Sequence, residues 1–244
     1  MKRKRTSTAK ATLADMSFSK LLEADQELAA LRREYACQPS DKRRRAADWQ
    51  YDSACASDMF DQAVGQHGVM GNVFGARRGY VAALAIDPDH APAMLTVGAI
   101  EYQLGRVDEA MVILLGLAKL AHDDSLPEII DKAGDFLIDQ DDLANAETLY
   151  AAAAEIHPEV AIYRIGLGYC AGRNGRFGDA VKHTRRAVEL EPDNYRHLSD
   201  FGFSLTQAGQ YEEAEQILLR AIELAPADYE MARGNLDHLH DVRE

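Results

Sequence analysis

Three prolines recur every 34 residues, and no other feature restricts the fold of this chain as tightly. Pro158, Pro192 and Pro226 each close an apolar stretch: LYAAAAEIHP, TRRAVELEP and LLRAIELAP. In a frame with the proline at position 32, glycine falls at position 8 (Gly134, Gly168, Gly202). Alanine falls at position 20 (Ala146, Ala180, Ala214) and at position 27 (Ala153, Ala187, Ala221). The mid-unit turns GRNGRFGDA and TQAGQYEEA put Gly175 and Gly209 at position 15. Self-similarity at a fixed period of this size is the mark of a stacked array.

Within one unit the spacing is helical. Arg164, Leu167, Gly168 and Ala171 fall at i, i+3, i+4 and i+7, a single stripe, and Gly175 then breaks the helix. Phe177, Ala180, Thr184, Ala187 and Val188 form a second stripe. Two helices with a short turn make a hairpin that is apolar on one face. The small residues at positions 8, 20 and 27 are expected to let the paired backbones approach closely. The proline cannot continue a helix, so it ends one unit and opens the next. One hairpin cannot bury its own face, so units stack.

The frame extends upstream with less fidelity. Residues 91–126 supply Gly98, Gly105, Ala110 and Leu114, with two extra residues before the next unit. Residues 57–90 supply Ala63, Gly71, Ala76, Tyr80, Ala83 and Pro88, but Val64 stands at position 8. The reading is five repeats over 57–228 (57–90, 91–126, 127–160, 161–194 and 195–228). A C-terminal capping helix follows at 229–244, the solvating end an open stack requires.

The pattern resembles the tetratricopeptide repeat, whose signature has Leu-Gly, a later Ala, an aromatic and a terminal Pro. The matching residues are Leu167-Gly168, Ala180 and Pro192, then Phe201-Gly202, Tyr211, Ala214 and Pro226. The aromatic of position 4 is replaced by Arg164 and Leu198. The resemblance implies an all-α fold, a right-handed superhelical solenoid of stacked helical hairpins, and a non-catalytic binding role. In that family positions 2, 5, 9, 12 and 13 usually face a groove. Carried over, these give Leu95 and Tyr102; Asp131, Asp135, Ile138 and Asp139; Ile165, Tyr169 and Arg173; and Arg196, Ser199, Phe203 and Gln207. From these, Tyr102, Asp131, Asp135, Tyr169, Arg173, Arg196, Phe203 and Gln207 are the candidate partner-binding residues. The core stripe takes positions 4, 7, 8 and 11, so the hairpin does not need the rings of Tyr169 and Phe203. Aromatics beside carboxylates suit a peptide or helix carrying apolar and basic side chains. Some relatives clamp a C-terminal carboxylate with Lys and Asn. Here position 5 holds Asp61, Leu95, Asp131, Ile165 and Ser199, which does not fit that use.

Charge is unevenly placed. Residues 1–56 hold 12 Lys/Arg against 8 Asp/Glu, and the remainder holds 15 against 32. Residues 1–15 read as a basic disordered tail and 16–56 as an N-terminal helical cap. The amphipathic stretch 17–36 lies in that cap, with Phe18, Leu21, Leu22, Leu28 and Leu31 on one face. The clusters KRKR (2–5) and KRRR (42–45) admit a solvated tail, a shield over the acidic body, or contact with nucleic acid. Base-stacking aromatics do not interleave with them, which weighs against nucleic acid. No apolar run approaches the roughly 20 residues of a membrane span. No apolar segment of the secretory kind follows MKRKR. Cys37, Cys55 and Cys170 share no metal or redox spacing, so the cytoplasm is the expected compartment.

Other motifs carry little chemistry. Gly166, Gly168 and Ala171 match a dinucleotide fingerprint but sit inside a predicted helix, where no strand precedes them. DQDD at 139–142 lacks the Gly and later Glu of a calcium loop. His238 and His240, two apart, point to different sides of a helix. No cofactor and no metal is expected. The leading reading is a non-catalytic scaffold or adaptor, chaperone-like in one version, that binds a segment of another protein. The alternatives are a nucleic-acid-associated regulator and a self-associating structural subunit, and the oligomeric state stays open.

Overall fold

A computed structural model describes residue 61 and residues 73–243. The basic tail, the N-terminal cap, Cys37, Cys55 and most of the first repeat's leading helix lie outside the described residues. Those residues form ten α-helices: α1 (Val73–Ile86), α2 (Ala91–Gln103), α3 (Val107–Leu117), α4 (Leu126–Asp139), α5 (Leu143–Ile156), α6 (Ala161–Arg173), α7 (Phe177–Leu190), α8 (Tyr195–Gln207), α9 (Tyr211–Leu224) and α10 (Met231–Arg243). The chain divides into two compact units, Met1–Leu120 and Ala121–Glu244. The division falls in the connector where the sequence carries its two extra residues. There Asp123 Oδ1 accepts from the backbone N–H groups of Ser125 (2.8 Å) and Leu126 (2.9 Å) and so caps α4.

Four hairpin turns share one backbone device. Gly105, Gly175 and Gly209 adopt φ of +78°, +71° and +74°, and Asp141 occupies the equivalent place at φ +59°. A left-handed residue at the end of a helix turns the chain without losing its last carbonyl bonds. Glycine does this freely, whereas Asp does it against steric resistance. The prolines act as the sequence suggests: α5, α7 and α9 stop two residues before Pro158, Pro192 and Pro226. Asn194 then caps α8, its Oδ1 accepting from Arg196 N at 3.1 Å and from His197 N at 3.4 Å.

The packing at position 8 differs from the expectation. Backbone proximity alone does not demand the glycine. A side chain sixteen residues later, at position 24 of the same hairpin, occupies the space a Cβ would need. Leu114 stands over Gly98, Tyr150 over Gly134, Thr184 over Gly168 and Leu218 over Gly202. All four of these side chains are buried. Tyr150 also covers Gly166 on α6, so its ring is held between two glycines on successive first helices.

In the C-terminal unit consecutive helices pack on one another. In addition α4 touches α6, α6 touches α8, and α8 touches α10, so the first helices of the hairpins form one continuous row. Phe201, Leu205, Ala214, Leu218 and Leu239 close the core at the end of the row, with Ala232 of α10 packed beside Leu198 and Ala221. In the N-terminal unit Met94, Val97, Ile100, Leu114 and Leu117 are buried, and Arg77 and Arg106 both pair with the buried Glu101 carboxylate.

Two substitutions test this frame. Gly134→Ala should destabilise the chain by about 1–3 kcal/mol, because the Tyr150 ring has no room to retreat. Asp141→Gly should stabilise it by up to about 1 kcal/mol by relieving a left-handed residue. Urea unfolding that ranks the two in the opposite order would break the frame.

Candidate functional site

The row of first helices carries two adjoining clefts in the C-terminal unit. The stripe Asp131, Asp135, Ile138 and Asp139 on α4 faces Ile162, Ile165 and Tyr169 on α6 and Arg196, His197 and Asp200 on α8, around a cleft of about 480 Å³. A second cleft of about 230 Å³ lies between α6 and α8, where Tyr169, Arg173, Phe203 and Gln207 meet over Gly168 and Gly172. Ile165, Tyr169 and Asp200 line both, so the two are continuous.

Seven of the eight candidate residues therefore come together on one surface. The eighth, Tyr102, lies on α2 in the N-terminal unit, half-buried. Tyr169 and Phe203 remain 45% and 41% exposed, which is high for large rings and separates them from the core. Arg173 Nη1 donates to the Tyr169 hydroxyl at 2.8 Å, and its guanidinium stands 5.7 Å from the ring centroid. Phe203 lies 5.9 Å from the His238 ring of α10, and the Gln207 side-chain nitrogen is 3.3 Å from His238 Nε2. His240 points elsewhere, toward Glu215 on α9 at 3.8 Å.

One reading from sequence needs correction. Ser199 does not face a groove: it is fully buried, and Asn235 of α10 donates to its Oγ at 3.0 Å. The helix that covers it lies beyond the last full repeat, where a 34-residue frame gives no guidance. Asp131 lines the cleft and is tied to the core beneath it. The Tyr150 hydroxyl donates to its Oδ1 at 3.0 Å and to its carbonyl at 3.2 Å.

Asp200, which the sequence reading did not select, is the most perturbed acid of the cleft. Burial first, then the Asp131 charge, pushes it up to about 7. Burial, then Asp135, raises Asp131 to about 6, against the pull of its bond from Tyr150. Asp135 is raised too, by burial and by Asp139. A signal was present in the sequence: Arg196, Asp200, Phe203 and Gln207 follow i, i+4, i+7, i+11, one stripe of α8. Cys170 is buried, and burial pushes its thiol up to about 11, far from the thiolate a nucleophile needs. Among the described residues no group of His, Cys, Asp and Glu is arranged to hold a metal ion, and no helix is long and apolar enough to cross a membrane.

Family models described as tetratricopeptide repeat match residues 71–127 and 173–236, and a further one matches 132–195. The chain belongs to the tetratricopeptide-repeat family. Tetratricopeptide-repeat proteins commonly mediate protein–protein interaction and are typically non-catalytic scaffolds. Among solved structures the chain is similar to PilF of Pseudomonas aeruginosa (15% identity, TM-score 0.50, covering 77% of this chain and 90% of that one). It is also similar to YrrB, described as a TPR protein with an unusual peptide-binding site (18%, 0.49, 94% and 99%), and to the MamA protein (20%, 0.49, 71% and 91%). At these identities the likeness concerns the fold. No curated protein sequence matches the chain.

Two measurements follow for this tetratricopeptide-repeat surface. Truncating Tyr169 or Phe203 to Ala should cost about 1–2 kcal/mol, well under the about 3–5 kcal/mol of a buried ring. A collapse in the thermal melt of either variant would place that ring in the core. Folding raises Asp131 and Asp200 above their ordinary value of 3.8, so the native chain binds more protons than the unfolded one in mildly acidic solution. Their stabilising contribution is present at low pH and is lost as pH rises through about 6 and about 7. His183 and His197, lowered by burial, act in the opposite sense, so the acid effect must be isolated by difference. Asp200→Asn should unfold at higher urea than wild type at pH 8, with the gap narrowing as pH falls towards 4. A gap independent of pH would remove the buried charge as its cause.

Proposed function

We propose that the continuous cleft on α4, α6 and α8 is a protein-docking surface, and that the chain acts as an adaptor or scaffold holding an apolar peptide or helical segment of another protein. The observation that carries this reading is the pair Tyr169 and Phe203. Both stand at position 9 of adjacent repeats and line one cleft, yet both rings keep more than two fifths of their surface in solvent. Aromatic side chains of this kind dominate interface energetics when a partner covers them. Seating one apolar side chain between them removes three apolar surfaces from water at once, at roughly 25 cal/mol per Å² buried. The row of first helices presents the rings on a rigid scaffold, so little conformational freedom is lost on docking.

Chain-wide affinity purification with wild type and the Tyr169→Ala/Phe203→Ala double variant tests the reading. One or a few proteins should co-purify with wild type and be depleted at least about tenfold with the variant, while its melt stays cooperative and loses no more than the two single truncations together. Equal recovery of every partner by the two chains would move the docking surface elsewhere.

A further inference from the structure

The charge of the cleft specifies more about the occupant than its apolar rings do, and the inference here rests on the docking reading above. We propose that Asp131, Asp135 and Asp200 form a seat for one basic side chain, lysine or arginine, belonging to the same bound segment whose apolar side chain lodges between Tyr169 and Phe203.

The first support is a contrast in how acids are paired. Away from the cleft, several carboxylates of the C-terminal unit have cations beside them: Glu147 with Arg176 at 2.6 Å, Glu213 with Arg185 at 2.8 Å, Glu215 with Arg243 at 3.1 Å. Inside the cleft, Asp131, Asp135 and Asp200 form no ion pair among the described residues. The one hydrogen bond to these three side chains is that from Tyr150. Arg196 lines the same cleft but is turned to the Tyr195 ring, 5.9 Å from its centroid, and Arg173 is engaged with the Tyr169 hydroxyl. Partly buried carboxylates left without a counter-charge are costly. An incoming ammonium or guanidinium offsets that cost where an acidic or neutral residue does not.

The second support is placement. Asp131 and Asp135 are one helical turn apart on α4 and so share a face. Asp200 approaches from α8, on the far side of α6, and lies close enough for the Asp131 charge to bear on it. Gly166 lines the same cleft, and the Tyr150 ring fills the space its side chain would take. Because Asp200, Ile165 and Tyr169 border both clefts, a single short segment reaches the acids and the aromatic rings together. Burial first, and then a neighbouring carboxylate, raises both Asp131 and Asp200, and a cation seated beside them would draw both back down.

Fluorescence polarisation with the full-length chain and synthetic probes tests the seat. The probes are acetylated, amidated ten-residue Ser/Gly peptides with one Leu, plus one Lys at each of several separations from it. Matched peptides replace the Lys by norleucine or by Glu. At the best separation the Lys peptide should bind about tenfold tighter than the norleucine peptide, with the Glu peptide weaker than both. Asp135→Asn/Asp200→Asn should shrink the lysine advantage to about twofold or less and leave norleucine binding unchanged, whereas Phe203→Ala should weaken both peptides together. Equal binding of all three peptides, still lost in Phe203→Ala, overturns the seat and leaves the docking reading intact. A lysine preference that survives the double Asn variant also overturns the seat, because the cation is then read elsewhere. Failure of every peptide to bind overturns both the seat and the docking of extended segments.

Discussion

A missing side chain on one helix and a buried one sixteen residues later hold together the four hairpins between residues 91 and 228. The glycine at position 8 is a socket, and Leu114, Tyr150, Thr184 and Leu218 are the plugs. The plugs differ widely in size while the socket stays constant, because a Cβ at the socket would meet each of them head-on. Close packing makes such a contact unforgiving. The same geometry explains why α10 can carry Leu236 at position 8: among the described residues no second helix folds back over it.

Tyr150 joins this packing to the cleft proposed as a docking surface. Its ring is buried between Gly134 and Gly166 and fixes α4 against α6, and its hydroxyl emerges at Asp131 on the cleft. Removing water from a phenol requires a partner for its O–H, and the carboxylate provides one. In return the carboxylate loses part of its freedom to point into solvent. The floor of the cleft is therefore an extension of the core, and its charges are placed by the same contact that sets the stacking of the two hairpins.

Much of this was legible in the sequence because the repeat imposes backbone demands that few residues meet. Gly105, Gly175 and Gly209 mark left-handed turns, and the prolines mark helix ends, whatever the side chains around them do. Asp141 shows the limit. It fills a left-handed position that composition alone would not suggest, and only its register within the 34-residue frame identifies it. Tyr169, Phe203, Arg173, Arg196 and Gln207 could be placed on one surface because helical spacing is geometric. The place of Asp200 on the α8 stripe was legible, but the burial of Asp131 and Asp200 was not, since it depends on how the neighbouring helices pack around them. Ser199 was misplaced for a related reason: Asn235, the residue that covers it, comes from a helix with no counterpart inside the repeat.

The acids of the cleft are a stability cost that the fold could avoid by placing Lys or Arg among them, as it does elsewhere in the same unit. Arg185 lies against Phe201 and pairs with Glu213, and Arg176 reaches 29 residues back to Glu147, so cations are available and their side chains reach across repeats. Leaving Asp131, Asp135 and Asp200 unpaired keeps a concentrated negative field beside two solvent-facing rings. In a site of reduced dielectric such a field discriminates strongly among approaching side chains. In the docking we propose, the apolar rings supply attraction without much selectivity, and the acids supply selectivity at the expense of stability. That division of labour is the physical content of the surface: a scaffold rigid enough, through its glycine sockets, to hold charges where the folded chain alone would not place them.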